Sequence, residues 1–195
     1  MIMHKRAYYI INSITLYRLV MAPVLIFLVI NNNVNLFKWL LAVSFFTDLI
    51  DGFLARKFKV ESAKGSSLDS IADNLTVLAA IIGVFILNPQ FINDNMLILG
   101  VLFALFFLQI VFSLIKYRKI SSFHTYLAKT AAGLQGVFLI LMFFLPQPQY
   151  FLFYVTAFVT AIELIEEIVL VTIIPRWETN VKGLYWVIKR KYKTT

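Results

Sequence analysis

Four acidic residues, Asp48, Asp51, Asp69 and Asp73, stand in or beside apolar runs of this 195-residue chain, and they are four of its ten Asp and Glu. A carboxylate at the centre of a membrane helix costs about 2.5–3.5 kcal/mol on insertion scales, so such a cluster marks a functional site. Asp48 and Asp51 are three residues apart and Asp69 and Asp73 four, which puts each pair on one face of its helix. Two antiparallel helices then present four hard oxygen ligands to one another, a set suited to Mg²⁺, Mn²⁺ or Ca²⁺. Two such cations about 3.5–4 Å apart orient a phosphoryl group and stabilise charge on its reacting oxygens. The structural alternative is protonated, hydrogen-bonded helix contacts, or pairing with Arg18 or Lys129.

The neighbours of the carboxylates suit a phosphate-bearing ligand. Gly52 follows Asp51 and Gly65 precedes Asp69 by four residues, so backbone or a bulky ligand can approach closely there. Arg56 lies four residues after Gly52, on the same face, where a guanidinium can make bidentate hydrogen bonds to phosphate, and Ala55 keeps that surface shallow. Asn12, Thr15 and Arg18 form a polar stripe at spacing three. Thr15 and Asn12 are expected to face the site, and Arg18 either joins them or snorkels to the membrane surface. Further along, Arg118 precedes an apolar helix that carries Lys129 near its start, and these two are candidates for holding an acceptor's phosphate. His124, near the same boundary, is expected to be structural. Glu163, Glu166 and Glu167 are expected to point into the helix bundle, paired with Arg18 or Lys129.

The elements that position these residues are membrane helices. The chain is 61% hydrophobic and 14% charged, far more apolar than a soluble domain, and has no cysteine, which excludes disulfides and thiol zinc sites. On a ruler of about 20 apolar residues per span, six helices are expected: Ile10 to Ile30, Leu36 to Ala55, Leu68 to Leu87, Met96 to Tyr117, Tyr126 to Leu145 and Phe151 to Ile174. The first, preceded by His4-Lys5-Arg6 with no small-residue cleavage site after it, reads as a retained span. Loops around Asn31–Asn35, Asn88–Asn95 and Pro146–Gln149 lack Lys and Arg, whereas Arg56–Lys64, Lys116–Lys119 and the segment after Arg176 are rich in them. That asymmetry places both termini and the carboxylates on the cytoplasmic side. The net charge of +8 falls in clusters beside the spans, which points to a membrane surface and not to nucleic acid. The tail from Asn180 alternates aromatics with cations and reads as an interfacial terminal helix. The fold class expected is therefore an all-α polytopic membrane protein, one domain over residues 1–195.

The run Asp48-x-x-Asp51-Gly52-x-x-Ala55-Arg56, eight residues, Gly65-x-x-x-Asp69-x-x-x-Asp73 resembles the complete signature of the CDP-alcohol phosphotransferase (CDP-alcohol phosphatidyltransferase) family. The resemblance implies attack of an acceptor alcohol on the β-phosphorus of a CDP-linked lipid such as CDP-diacylglycerol, with release of CMP. It implies that Asp48, Asp51, Asp69 and Asp73 ligate Mg²⁺ or Mn²⁺, two ions in all, and that Asp73 also acts as general base. Gly52, Ala55, Arg56 and Gly65 would form the cytidine diphosphate site, with Thr15 and Asn12 as further nucleotide contacts. A homodimer in a bacterial inner membrane, its site facing the cytoplasm, is also implied.

The acceptor expected is glycerol 3-phosphate, with inositol phosphate or serine as alternatives. Asp51-Gly52-Phe53-Leu54-Ala55-Arg56 is similar to enzymes that make phosphatidylglycerol phosphate, whereas Ser70 and Asn74 depart from their Asp-Pro-x-Ala-Asp-Lys run. The rival class is a divalent-cation transporter lined by the same carboxylates, although such a path is expected nearer the midplane.

Overall fold

A computed structural model of the chain describes residues 2–58, 63–121, 123–179 and 181–192, with side chains over 13–48, 50, 68, 71–121, 123–179 and 181–190. It is all-helical, with no β-strand among the described residues. The helices are α1 (Ile2–Ile30), α2 (Val34–Phe58), α3 (Ala63–Leu87), α4 (Pro89–Asp94), α5 (Met96–Tyr117), α6 (Tyr126–Phe144), α7 (Tyr150–Ile173) and α8 (Leu184–Tyr192). Six of them coincide with the apolar runs, but on the basic side the first three extend beyond those runs, to Ile2, Phe58 and Ala63. Asp69 and Asp73 therefore lie deeper in their helix than the hydropathy boundary at Leu68 suggests, Asp73 about three turns from its start. Ser13–Ile30, Met96–Tyr117 and Tyr126–Phe144 are long and apolar enough to cross a bilayer, and α3 adds the shorter apolar run Ile71–Leu87. These helices make the chain an integral membrane protein. The remaining long helices are interrupted by charge: α2 by Asp48 and Asp51, and α7 by Glu163, Glu166 and Glu167.

The helices group into two compact units, Met1–Ile92 with Leu139–Gln147, and Asn93–Phe138 with Pro148–Thr195. In the first unit α1 packs along both α2 and α3, whereas α2 and α3 touch each other little. The reason is visible in the buried stripes. On α1 they are Thr15, Arg18, Ala22, Leu25 and Val29; on α2, Phe37, Leu41 and Ser44; on α3, Ala72, Thr76, Ala79 and Ala80. Steps of three and four keep each stripe on one helical face, and the alanines let backbones approach as small residues do in membrane bundles. Gly83 continues the α3 stripe where rings from two elements meet: a Cβ there would lie 2.8 Å from Phe37 Cζ and 3.0 Å from Phe143 Cζ. Those two rings pack edge to face, their centroids 4.9 Å apart.

The second unit is built on α5 against α7, with α8 folded onto α7. Phe123, Leu170, Val171, Ile174, Val181 and Val187 form its buried cluster. The carbonyls that end α7 have no partner within the helix, and α5 supplies them. Lys116 Nζ donates to Val171 O at 2.8 Å and to Thr172 O at 2.9 Å, and Tyr117 Oη donates to Ile174 O at 2.7 Å. A cation at a helix C-terminus also opposes the negative end of the dipole. Gln135 on α6 donates to Thr160 on α7 at 2.9 Å, a polar link between apolar helices.

Candidate active site

Arg18 is the hub of the first unit's polar region. It is 1% exposed, and its Nη1 lies 2.8 Å from Asp48 Oδ1 while its Nη2 donates to Asp73 Oδ1. The local cause is register. Asp48 falls four residues after buried Ser44, next on the α2 stripe, and Asp73 adjoins buried Ala72, so both carboxylates arrive at the position on α1 that Arg18 occupies. The forked guanidinium serves the two carboxylates from two separate nitrogens held in one plane, a fixed geometry that the freely rotating donors of an ammonium do not impose.

Arg18 does not snorkel, as one of the two sequence readings had it; it lies sealed beneath carboxylates that are 34% and 40% exposed. Asp48 of α2 and Asp73 of α3 meet on this side chain of α1, which packs against both helices. The two carboxylates reach water beside the guanidinium, where their oxygens can attract a further cation. Hard anionic oxygens reachable from water and held from below by a fixed fork fit a divalent ion of the Mg²⁺ or Mn²⁺ kind. Among the described residues no group of three His, Asp or Glu comes together to hold a metal. The other two acids of the signature, Asp51 and Asp69, have helical backbones but side chains outside the described residues, as do Asn12, Gly52, Ala55, Arg56 and Gly65.

Thr15, one turn before Arg18, is buried with it on α1. Thr76, one turn after Asp73, is turned to its own helix, its hydroxyl donating to Ala72 O at 2.9 Å. Arg118 and Lys129 belong to the second unit. Arg118 caps α5 in the left-handed conformation, φ 55°, its N–H donating to Leu114 O, with its side chain exposed. Lys129 is exposed in the early part of α6, its Nζ 5.9 Å from the centre of the Tyr126 ring.

Two of the three α7 glutamates, Glu166 and Glu167, are engaged by partners other than those expected. Glu167 Oε2 accepts from Gln109 Nε2 at 2.6 Å and from Ser121 Oγ at 3.1 Å, and Gln109 also donates to Ser121. Glu166 Oε1 accepts from the Leu184 N–H at 2.9 Å, tying α8 to α7. Gln109, the one amide in the apolar run Met96–Tyr117, is the signal for this network, since an amide at membrane depth needs a partner.

A profile of the CDP-alcohol phosphatidyltransferase family matches residues 8–171. Cardiolipin synthase (CMP-forming) of Homo sapiens is 36% identical over 76 residues, covering 38% of this chain and 25% of that protein. The Rattus norvegicus protein of the same name is 37% identical over 67 residues, 34% of this chain and 22% of its own. CDP-diacylglycerol–inositol 3-phosphatidyltransferase of Saccharomyces cerevisiae is 32% identical over 93 residues, 48% of this chain and 42% of that protein. The chain thus spans less than half the length of each of these curated relatives. No solved structure matches it. The family match contains α2 and α3 with every signature position, and α1 with the arginine that joins Asp48 to Asp73, so the chain belongs to the CDP-alcohol phosphatidyltransferase family.

Proposed function

We propose that the chain is a phospholipid-synthesising transferase that moves a phosphatidyl group from CDP-diacylglycerol to an acceptor alcohol and releases CMP. The observation that carries this reading is the meeting of Asp48 and Asp73, the first and last acids of the signature, on the buried Arg18. Asp73 takes the proton of the acceptor hydroxyl as its oxygen bonds to the β-phosphorus; the bond from that phosphorus to the CMP oxygen breaks, and CMP leaves with the electron pair. Arg18 fixes one oxygen of Asp73, which orients the carboxylate for that transfer. Asp48, Asp51, Asp69 and Asp73 would hold Mg²⁺ or Mn²⁺, two ions in this reading, which supply charge neutralisation at the diphosphate. Gly52, Ala55, Arg56 and Gly65, with Thr15 and Asn12, bind the cytidine diphosphate portion, and Lys129 and Arg118 are assigned to the acceptor.

For the acceptor we propose a glycerol carried on phosphate, with a free primary hydroxyl. Glycerol 3-phosphate is its soluble form, supported by the Asp51–Arg56 run. The relatives named cardiolipin synthase (CMP-forming) favour the lipid form, because cardiolipin less one phosphatidyl group is phosphatidylglycerol. The yeast relative keeps inositol compounds as a further candidate. The reading also takes residues 1–195 as one functional domain of six spans, homodimeric, with termini and site on the cytoplasmic face of a bacterial-type inner membrane. The alternation of basic loops with loops that lack Lys and Arg supports the spans and their orientation, and the rest follows the family resemblance.

The test incubates purified protein with CDP-diacylglycerol, Mn²⁺ or Mg²⁺, and in turn glycerol 3-phosphate, phosphatidylglycerol, inositol phosphate, inositol and serine, following CMP release. Release with one of the two glycerol phosphates is expected. Release only with inositol or serine overturns the acceptor, and none with any acceptor overturns the transferase.

A further inference from the structure

At one end of the second unit, aromatic rings and lysines lie exposed, and apart from Lys129 beside Tyr126 none of them is assigned to the transfer reaction. The membrane-spanning α5 ends at Tyr117 and α6 begins at Tyr126, so residues 118–125 lie at one bilayer surface. The buried cluster of Phe123, Val181 and Val187 holds α8 at that same level, and Val181 N donates to Phe123 O at 2.8 Å. The orientation of α8 is fixed from three sides. Gly183 turns the chain with φ 146°, a conformation only glycine adopts readily, and so brings the Leu184 N–H to Glu166. Val187 faces inward, and Arg190 makes hydrogen bonds of 3.0 and 3.1 Å to both oxygens of Glu178.

What this leaves outward is Tyr185, 65% exposed, Trp186, 45% exposed, and Lys189. The rings of Tyr126, Trp186 and Tyr185 form a chain with centroids 5.5 and 5.6 Å apart. Lys189 Nζ lies 5.8 Å from the Tyr185 ring and Lys119 Nζ 5.1 Å from that of Trp177. Amphipathic rings belong at the headgroup level, where one end is apolar and the other wet. Of the acids beside this face, Glu178 is held by Arg190 and Glu166 Oε1 by the Leu184 N–H. An ammonium over a ring face keeps its three donors, so the ring positions it and phosphate can still accept from it.

We propose that this face docks the headgroups of anionic phospholipids at the bilayer surface, with Lys119 and Lys189 on the phosphates and Trp177, Trp186 and Tyr185 at the glycerol level. Each lysine beside an anionic surface is worth a local enrichment of roughly fivefold.

The chain has three tryptophans, so a Trp39→Phe background reports from Trp177 and Trp186 alone. The full chain in this background is reconstituted into vesicles of phosphatidylcholine and phosphatidylglycerol, with the shallow acyl bromines on one lipid or on the other at equal mole fraction. Brominated phosphatidylglycerol is expected to quench roughly twofold more strongly or better. The excess disappears in Lys119→Ala/Lys189→Ala and, independently of any variant, at 1 M salt, where charges are screened within about 3 Å. Equal quenching by the two lipids overturns the proposal, as does an excess that survives the double substitution or the salt. Quenching by neither lipid also overturns it, pointing to a second protein surface over this face.

Discussion

Arg18 and Asp73 are hydrogen-bonded across 55 residues of sequence, from Nη2 to Oδ1, while Nη1 of the same buried guanidinium reaches Asp48 at 2.8 Å. One side chain of α1 therefore sets the spacing of two carboxylates that belong to different helices. In the absence of a divalent ion it is also their counter-charge, so it both shapes the site and keeps two acids from repelling each other.

Substitution at Arg18 should separate those two effects. Arg18→Lys keeps the charge but offers no planar fork, and transfer is expected to fall about 10-fold or more while the protein stays folded. Arg18→Met removes the charge and leaves two carboxylates without it, which should lower stability by about 1 kcal/mol, because both carboxylates reach water. CMP release and thermal unfolding in detergent measure the two. Wild-type turnover in Arg18→Lys would show that the fork has no positioning role.

Asp73→Asn removes the base with little change of shape. CMP release is expected to drop by about 10²–10⁴-fold. Binding of CMP, followed by calorimetry with Mn²⁺ present, should be largely retained, since Asp48, Asp51 and Asp69 remain for the ions and Gly52, Ala55, Arg56 and Gly65 for the nucleotide. If the variant turns over at the wild-type rate, Asp73 is not the base; if it fails to bind CMP, the residue serves the nucleotide instead.

Removal of divalent metal should abolish CMP release, and Mn²⁺ or Mg²⁺ should restore it where Na⁺ does not. A readout without turnover is available too, because an ion that binds only the folded protein stabilises it by about 2.7 kcal/mol at 100 times its Kd. Adding Mn²⁺ to the metal-free protein should raise its melting temperature, and this rise should vanish in Asp48→Asn/Asp73→Asn. A rise that persists in the double variant places the ion elsewhere.

The helices were legible because a long apolar run closes its backbone hydrogen bonds within itself as a helix: six apolar runs became α1, α2, α3, α5, α6 and α7. Their basic ends were not, since helix continues past the apolar boundary wherever polar residues can still close the backbone, as from Ala63 to Ser67. Asp48 and Asp73 stand out by type and spacing, and these two do come together on Arg18, whereas the side chains of Asp51 and Asp69 lie outside the described residues. Arg18 was harder, because an arginine near a helix end fits snorkelling and ion pairing equally well until packing decides that α1 contacts both α2 and α3. The Gln109–Glu167 contact was hidden for the same reason: it joins residues 58 apart, and no local pattern selects one polar partner over another.

The crowding at Gly83 gives a test of the packing that carries α3, and with it Asp73, to the site. A methyl group there would press on Phe37 Cζ at 2.8 Å and Phe143 Cζ at 3.0 Å, and both rings are buried. Gly83→Ala is therefore expected to destabilise by about 1–3 kcal/mol, the usual range for overpacking. Phe37→Leu removes the atom that is struck, and alone it should also cost stability, because it opens a cavity beside Phe143. Together the two changes relieve each other, so Gly83→Ala/Phe37→Leu should be less destabilised than the sum of the singles by at least about 0.5 kcal/mol. Thermal and denaturant unfolding of the four proteins completes the cycle. Strict additivity would mean that α3 does not pass Phe37 at this distance, and the register that brings Asp73 to Arg18 would lose its support.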